Sequence, residues 1–527
     1  MNASVGARKS SSYDVVVIGG GVNSLAAAAY LARGGLKVLV CDRRASVGGS
    51  ASTEELEPGF RVDVCRDDLG WIPARLVHDL GLEAHGLRMR SVGRRMAARS
   101  DEGEVLTFGP MGPDLDALRA LSPRDAARWP DFAAEVETLA RFLEHLYAAP
   151  VPDVDLSAPG DVVTSLKIAL KFRGLGRRHM VEALRVLPMS IAEWLDDWFE
   201  HPLLKGALAS QGVRHSSLGP RAAGTAFVFL HHHAGRRAGA LGPTLSPVGG
   251  VGALAAALEA AARGSGADVR CGAEVRRIVV RGGAVSGVEL ANGETIAAAR
   301  VVSGASPRHT FLELCDPAVL APEFVHAVSR IRYRGAFAKV NLTLAGRPAL
   351  PHDDAAGVVI APTMDYLERA ADDAKYGRVS TRPFVSAVMT SAFDDTLAPA
   401  GRHVLSVRMQ YAPYHLRDAR WDDAGRDALG DRVLDTLERY LPGLKALVRR
   451  RQVLTPPDLE RAFGLPEGHV YHGEMALDQA LFMRPVPACS HYRSPVRGLY
   501  VCGPGAHPGG GTAGAAGANA AQAVLRD

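Results

Sequence analysis

Residues 13–18, YDVVVI, are dominated by β-branched side chains with no sustained polar alternation. That pattern predicts a strand covered on both faces. Gly19-Gly20-Gly21 follow as a tight turn. Residues 25–33 are rich in alanine and leucine, and predict a helix that Gly34-Gly35 terminate. Residues 36–40 are a second apolar run. Strand, glycine turn, helix and strand in this order make a βαβ unit with its turn at the helix N-terminus.

A second patterned block begins at SPVGGVGALAAALEAAARG, a glycine turn leading into an alanine helix. Three short strands are predicted after it, around 273–281, 284–290 and 295–302. Gly282-Gly283 and Asn292-Gly293 lie between them as hairpin turns. The third block closes the chain: the apolar run 499–502 breaks into GPGAHPGGGTAG and resumes as an alanine-rich helix. Residues 110–240 read as helices, one opening at Ser122 as N-cap with Pro123 in its first turn. Residues 330–480 mix β-rich runs, FAKVNLTL and HVLSVRMQY, with helices. The expected fold class is α/β. A three-piece Rossmann-like domain with a β-meander is expected from residues 1–110, 245–310 and 485–527. An inserted α+β substrate domain is expected from 111–244 and 311–484. Pro243 and Pro247 oppose a strand before SPVGGVGAL, so that segment does not open a second dinucleotide domain.

Composition narrows the class. The chain has 527 residues, 47% of them hydrophobic, and a net charge of +4. It offers ample core and no strongly basic face. No basic block is interleaved with aromatics, so nucleic acid is not an expected partner. No run of about 18 apolar residues predicts a spanning helix. The polar N-terminal tail lacks the apolar centre of a secretory signal, although Arg8, Lys9 and its serines faintly resemble a transit peptide. The six cysteines contain no C-x-x-C, which excludes the obvious dithiol redox motif and zinc ribbons.

Gly19-x-Gly21-x-x-Ser24 is a dinucleotide fingerprint whose third glycine is replaced by serine, a residue still small enough for close helix–strand contact. Asp42, at the end of the second strand, stands where an acid accepts hydrogen bonds from a ribose hydroxyl. After it comes RRASVGGSAST. An arginine followed by a Gly-Gly pair at this distance resembles the motif that amine oxidases and carotene desaturases lay along the FAD diphosphate and flavin. The resemblance carries to Arg44, Gly48, Gly49 and Ser50, and Arg43 beside them is a further cofactor candidate. In proteins of this build the last strand and helix return to the flavin, so Gly503, Gly505, His507, Gly510, Gly511 and Thr512 are further cofactor candidates. Val275, at the start of the meander, joins them.

VVVIGGGVNSLAAAAYLARGGLKVLVCDRR at one end and LYVCGPGAHPGGGTAGAAG at the other resemble the bacterial phytoene desaturase family, which includes FAD-dependent β-carotene ketolases and carotenoid isomerases. The fuller ending, from VYHGEMALDQALFMRPVP onward, most resembles the pyridine nucleotide-disulfide oxidoreductase domain-containing protein 2 family. That family lacks the redox dithiol despite its name, as does this chain. The resemblance implies an FAD-dependent oxidoreductase acting on C–H bonds of a lipophilic, polyene- or carotenoid-like substrate, with oxygen or a quinone as electron acceptor. The reading of another class is a flavoprotein whose main role is binding a partner protein or regulation.

Four features stand beside this. His507, in the glycine loop, is a weak candidate acid/base beside the flavin. His231-His232-His233 point in different directions on a helix and cannot form an i, i+4 metal pair, so no metal site is expected. Tyr471, His472, Asp478, Gln479 and Arg484 match the family's pre-terminal motif and are read as loop braces. Residues 164–187 are basic and amphipathic, a candidate contact with an anionic membrane surface. The expected location is cytoplasmic or membrane-peripheral, or the mitochondrial matrix in a eukaryote.

Overall fold

A computed structural model describes residues 12–152, 159–335 and 337–527. The polar N-terminal tail with Arg8 and Lys9 lies outside them. Ser12–Ile18 forms the central strand of a parallel sheet, flanked by Val38–Cys41 on one side and Thr295–Ser303 on the other. Val15, Val16 and Val17 are fully buried, each worth about 1.5–3 kcal/mol relative to exposure. Asp268–Arg270, a short strand not expected from the sequence, extends one edge. Thr295–Ser303 turns out of an antiparallel meander made with Val275–Arg281 and Ala284–Leu290, and Leu499–Val501 pairs parallel with its far end. Three distant parts of the chain thus meet in one sheet.

Helix Val22–Arg33 lies on this sheet between Gly252–Gly264 and Ala515–Arg526. All three are alanine-rich, which lets them approach closely. A Cβ on Gly517 would overlap the Asn23 carbonyl. Ser24 performs the close contact expected of the third fingerprint position: its Oγ is 3.9 Å from Cys502 Sγ, and Gly304 opposite has no side chain to meet it.

The second sheet runs in the order Val448–Leu454, Phe337–Leu344, His403–Gln410, Val385–Val388, Ala355–Ile360, Arg95–Arg99, Val105–Gly109 and Gly112–Pro113. Helices cover it, among them Pro123–Tyr147, whose N-cap Ser122 accepts the Asp125 N–H as expected. Sheet membership departs from the expected boundaries. Arg95–Arg99 and Val105–Gly109 fall before residue 110 yet join the second sheet, because Ala355–Ile360 pairs parallel with Arg95–Arg99 and would otherwise be an open edge. Conversely, Pro322–Ser329 buries Phe324 and Val328 in the core of the first sheet. Leu245–Pro247 does form a short strand before SPVGGVGAL, against expectation. It pairs antiparallel with Met89–Ser91 in a two-stranded ribbon, where both strands are edges and proline is tolerated. Among the described residues no helix is long and apolar enough to cross a membrane.

Candidate functional site

At the C-terminal ends of the parallel strands lies a cavity of about 520 Å³. Gly19, Gly21 and Ser24 line it from the first turn, and Asp42, Arg43 and Arg44 from the end of the second strand. Gly48, Gly49 and Ser50 line it from the next loop, Val275 from the meander, and Gly510, Gly511 and Thr512 from the C-terminal loop. Thirteen predicted positions, scattered over nearly the whole sequence, face one space.

The local reasons are specific. Gly19 has φ +88°, which a side chain would strain. At Gly21 a Cβ would meet nothing within 4 Å, so the space in front of it is not filled by protein. The Gly48 N–H donates to the Gly20 carbonyl at 2.8 Å, drawing the Arg44–Ser50 segment alongside the turn. Asp42 Oδ1 accepts the Arg44 N–H at 2.7 Å, and Oδ2 accepts the Gly20 N–H. The carboxylate keeps lone pairs free on the cavity side, since it lines the space while remaining 6% exposed. Arg44 pairs with Glu54 at 2.6 Å, donates to the Gly49 carbonyl at 3.1 Å and lies 4.8 Å from the Phe463 ring centre. Asn23 Oδ1 at the helix start and His472 Nδ1 opposite are buried without a hydrogen-bond partner, and both residues line the cavity.

Gly503, Gly505 and His507 do not line it. Gly503 and Gly505 are instead pressed against the 304–307 loop, where a Cβ on Gly503 would overlap the Gly304 carbonyl and one on Gly505 the Pro307 ring. His507 is fully buried and donates Nε2–H to the Leu146 carbonyl at 3.0 Å. Its ring turns away from the cavity, so it is not placed to act as the expected acid/base. Burial lowers its pKa to about 4.

Three contributors stand out among those the sequence reading missed. Residues 460–466 close the cavity from the second sheet's side, held by an Arg43 hydrogen bond of 2.8 Å to the Arg461 carbonyl and by an Arg308–Glu467 ion pair of 3.1 Å. Nothing in that stretch signals a ligand. Arg66 lines the cavity and sits 5.8 Å from the Tyr471 ring centre. His472, expected as a brace, lines the cavity on a left-handed backbone of φ +52°. Burial, then the Arg484 cation, lowers its pKa to about 3, so the ring is neutral.

Behind the C-terminal loop stands a buried polar wall. His231 donates Nε2–H to the Gly510 carbonyl at 2.7 Å, and its Nδ1 therefore accepts the Tyr147 O–H at 2.8 Å. His232 donates Nδ1–H to the Gln211 carbonyl and accepts the Tyr471 O–H; His233 donates Nδ1–H to the Phe229 carbonyl and accepts the Gly239 N–H. The three histidines each have a separate structural task. Among the described residues no group of three or more metal-ligating side chains is placed to hold a metal. Arg484, fully buried, donates to the carbonyls of Tyr471, Gly473, Glu474, Gln479 and Pro504, while Asp478 pairs with Arg332. Four nearly buried cations, Arg214, Arg236, Lys339 and Arg408, surround two carboxylates, Asp67 and Asp68. Burial alone would raise both carboxyl pKa values. Lys339 and Arg408 outweigh it for Asp67, and Arg236 and Arg214 for Asp68, so both stay ionised.

A family model described as "Flavin containing amine oxidoreductase" matches residues 25–525. The chain belongs to that family. It is an FAD-dependent oxidoreductase. The residues present suit the cofactor: an unfilled glycine cradle at a helix N-terminus, an acid at the end of the second strand, and unpartnered buried polar atoms facing the same space. The chain is 37% identical to pyridine nucleotide-disulfide oxidoreductase domain-containing protein 2 of Rattus norvegicus, over 98% of this chain and 94% of that one. It is 27% identical to phytoene desaturase (neurosporene-forming) of Cereibacter sphaeroides, over 97% and 94%. Both expected resemblances hold. Among solved structures, putrescine oxidase bound to putrescine shares the fold with a TM-score of 0.64 at 16% identity, covering 98% of this chain and 99% of that one.

Proposed function

We propose that the enzyme acts on C–H bonds of a lipophilic, polyene- or carotenoid-like substrate, by dehydrogenation, ketolation or isomerisation. The observation that carries the cofactor assignment is the convergence of the N-terminal turn, Asp42 and the C-terminal loop on one cavity of about 520 Å³. In this reading Gly19 and Gly21 admit the diphosphate to the first helix's N-terminus, and Asp42 holds the ribose. Arg44 and Gly48 to Ser50 follow the diphosphate, and Gly510 to Thr512 present the C-terminal helix's positive end to the flavin. Bound there, FAD supplies two-electron oxidation of the substrate carbon. The chain's own part is to orient the ring, exclude water and offer donors where negative charge develops.

The polar wall supports a substrate without positive charge. Behind the loop the buried cations Arg214, Arg236, Lys339 and Arg408 outnumber the carboxylates Asp67 and Asp68 that pair with them, so the field there opposes an ammonium. The phytoene desaturase relative supports a hydrocarbon instead. Oxygen or a quinone serves as acceptor, since the described residues hold one parallel βαβ sheet and its cleft is assigned to FAD. Anaerobic mixing of the yellow protein with polyenes, lipophilic alcohols and putrescine tests the reading. Bleaching of the flavin by a polyene or lipophilic alcohol, and not by putrescine, is expected. Bleaching by the amine alone overturns it.

A further inference from the structure

The helix Pro159–Gly174 packs loosely on the body. Six of the fourteen large apolar side chains left open to solvent among the described residues belong to it or to the next helix, Gly176–Val186. Leu166 and Leu170 are 59% and 58% exposed, and Leu184 on the next helix 68%. So many open apolar side chains on one short segment mark an interaction site.

Under the same helix lies a second cavity, about 710 Å³, larger than the cofactor cavity and sharing none of its lining residues. Its floor is apolar: Phe142, Leu146 and Val151, faced by Ile168. Its rim is cationic. Lys167 and Lys171 lie one turn apart on the helix, and Arg526 faces them from the end of the C-terminal helix. Among the described residues none of these three has an acidic partner. The acid on the rim, Asp527, is already taken by Arg493 at 2.9 Å and by the Tyr500 hydroxyl at 2.8 Å. An apolar floor beneath uncompensated ammonium and guanidinium groups suits neither bulk water nor a neutral hydrocarbon. It suits a molecule with a negative head and an apolar tail.

We propose that this cavity binds an anionic headgroup carrying an alkyl chain, with the head between Lys167, Lys171 and Arg526 and the chain along Phe142, Leu146, Val151 and Ile168. The exposed Leu166 and Leu170 lie on the adjoining side of the helix and extend the apolar path outward. The proposal is independent of what the cofactor site oxidises.

Calorimetry of the FAD-loaded full chain with dodecyl phosphate, below its micelle concentration, tests it. Saturable binding is expected, at least about tenfold weaker in the double variant Lys167→Gln/Lys171→Gln and at least about tenfold weaker for inorganic phosphate or dodecyl maltoside. Both lysines are exposed, so the variant should melt like the parent without ligand. Ile168→Asn probes the apolar half separately, should the double variant misfold. No binding of dodecyl phosphate overturns the proposal. Equal binding of inorganic phosphate removes the need for a chain, equal binding of the maltoside removes the need for charge, and either overturns it too. Vesicles of phosphatidylcholine doped with phosphatidic acid identify the source. Co-sedimentation that dodecyl phosphate competes away supports a membrane lipid. Retained dodecyl phosphate binding without co-sedimentation supports a free amphiphile. Co-sedimentation that dodecyl phosphate leaves unchanged assigns the attraction to the surface and overturns the cavity.

Discussion

The turn Gly19–Gly21 and the loop 503–514 are both dense in glycine, both precede a helix and both reach the cofactor cavity, yet their glycines answer to different neighbours. In front of Gly21 a Cβ finds no protein within 4 Å, and the backbone there, φ −72°, would accept one. That open space belongs to the cofactor cavity. In the C-terminal loop nearly every glycine is pressed by protein. A Cβ on Gly510 would overlap the Tyr471 ring, one on Gly509 would reach Met475 Sδ at 2.5 Å, one on Gly514 would overlap Leu76, and one on Gly511 would come within 3.2 Å of His231 Nε2 and of the Tyr471 hydroxyl. Those residues are small so that the polar wall can support the loop. Glycine density by itself does not identify a ligand-contacting backbone; what a side chain would strike does.

Acid should strain the loop most and leave the turn alone. His231 and His507 brace the loop as neutral rings, with burial lowering each pKa to about 4 from the usual 6.5. A protonated His231 could not accept the Tyr147 hydroxyl, and His507 Nδ1 is buried without a hydrogen-bond partner among the described residues. Below pH 6.5 the unfolded chain takes up protons that the folded one refuses, so stability present above 6.5 is lost as pH falls toward 4. Each ring contributes up to about 3 kcal/mol of that loss. Melting temperature measured from pH 7.5 to 4.5 should fall steeply below 6.5. A flat profile would mean that the loop does not rest on neutral histidines.

Gly510→Ala should destabilise by about 3 kcal/mol, at the upper end of overpacking effects, because the methyl meets an aromatic ring held by the His232 hydrogen bond. In a Tyr471→Ala background, itself destabilised, adding Gly510→Ala should cost under about 1 kcal/mol more, because the ring it strikes is gone. Loss of FAD by Gly510→Ala at an unchanged melting temperature would assign Gly510 to the flavin instead.

Asp42→Ala acts on the other side of the comparison. It should weaken FAD binding by about 1.5–3 kcal/mol, roughly tenfold to a hundredfold, through hydrogen bonds lost to the ribose. Titration of apoprotein with FAD checks this, and an unchanged dissociation constant would place the ribose elsewhere.

Gly21→Ala gives the smallest effect and the sharpest contrast. The folded apoprotein should lose less than about 0.5 kcal/mol, since the methyl strikes nothing. FAD affinity should fall about tenfold, because the methyl occupies the space left for the diphosphate. A drop in apoprotein stability with FAD affinity intact would make this glycine structural, like those of the loop.

The sequence by itself determined the βαβ unit, the meander and the terminal strand and helix. Each is written in local terms: an apolar run, a glycine turn, an alanine-rich helix. The same locality made Asp42, Gly48 and Gly49 legible, because their distances from the first turn are fixed by one short unit. Only the tertiary structure decided the rest. Whether Arg95–Arg99 belongs to the first or the second sheet depends on Ala355–Ile360, some 260 residues away, needing a partner for its edge. Residues 460–466 close the cofactor cavity with no motif of their own, since a covering segment needs only shape and a few long-range anchors. His507, chosen for its place in a glycine loop, faces Leu146; His472, chosen for nothing more than bracing, faces the cavity. The direction in which a loop side chain points is set by what packs around it, and in this protein that packing comes from helices and strands hundreds of residues distant.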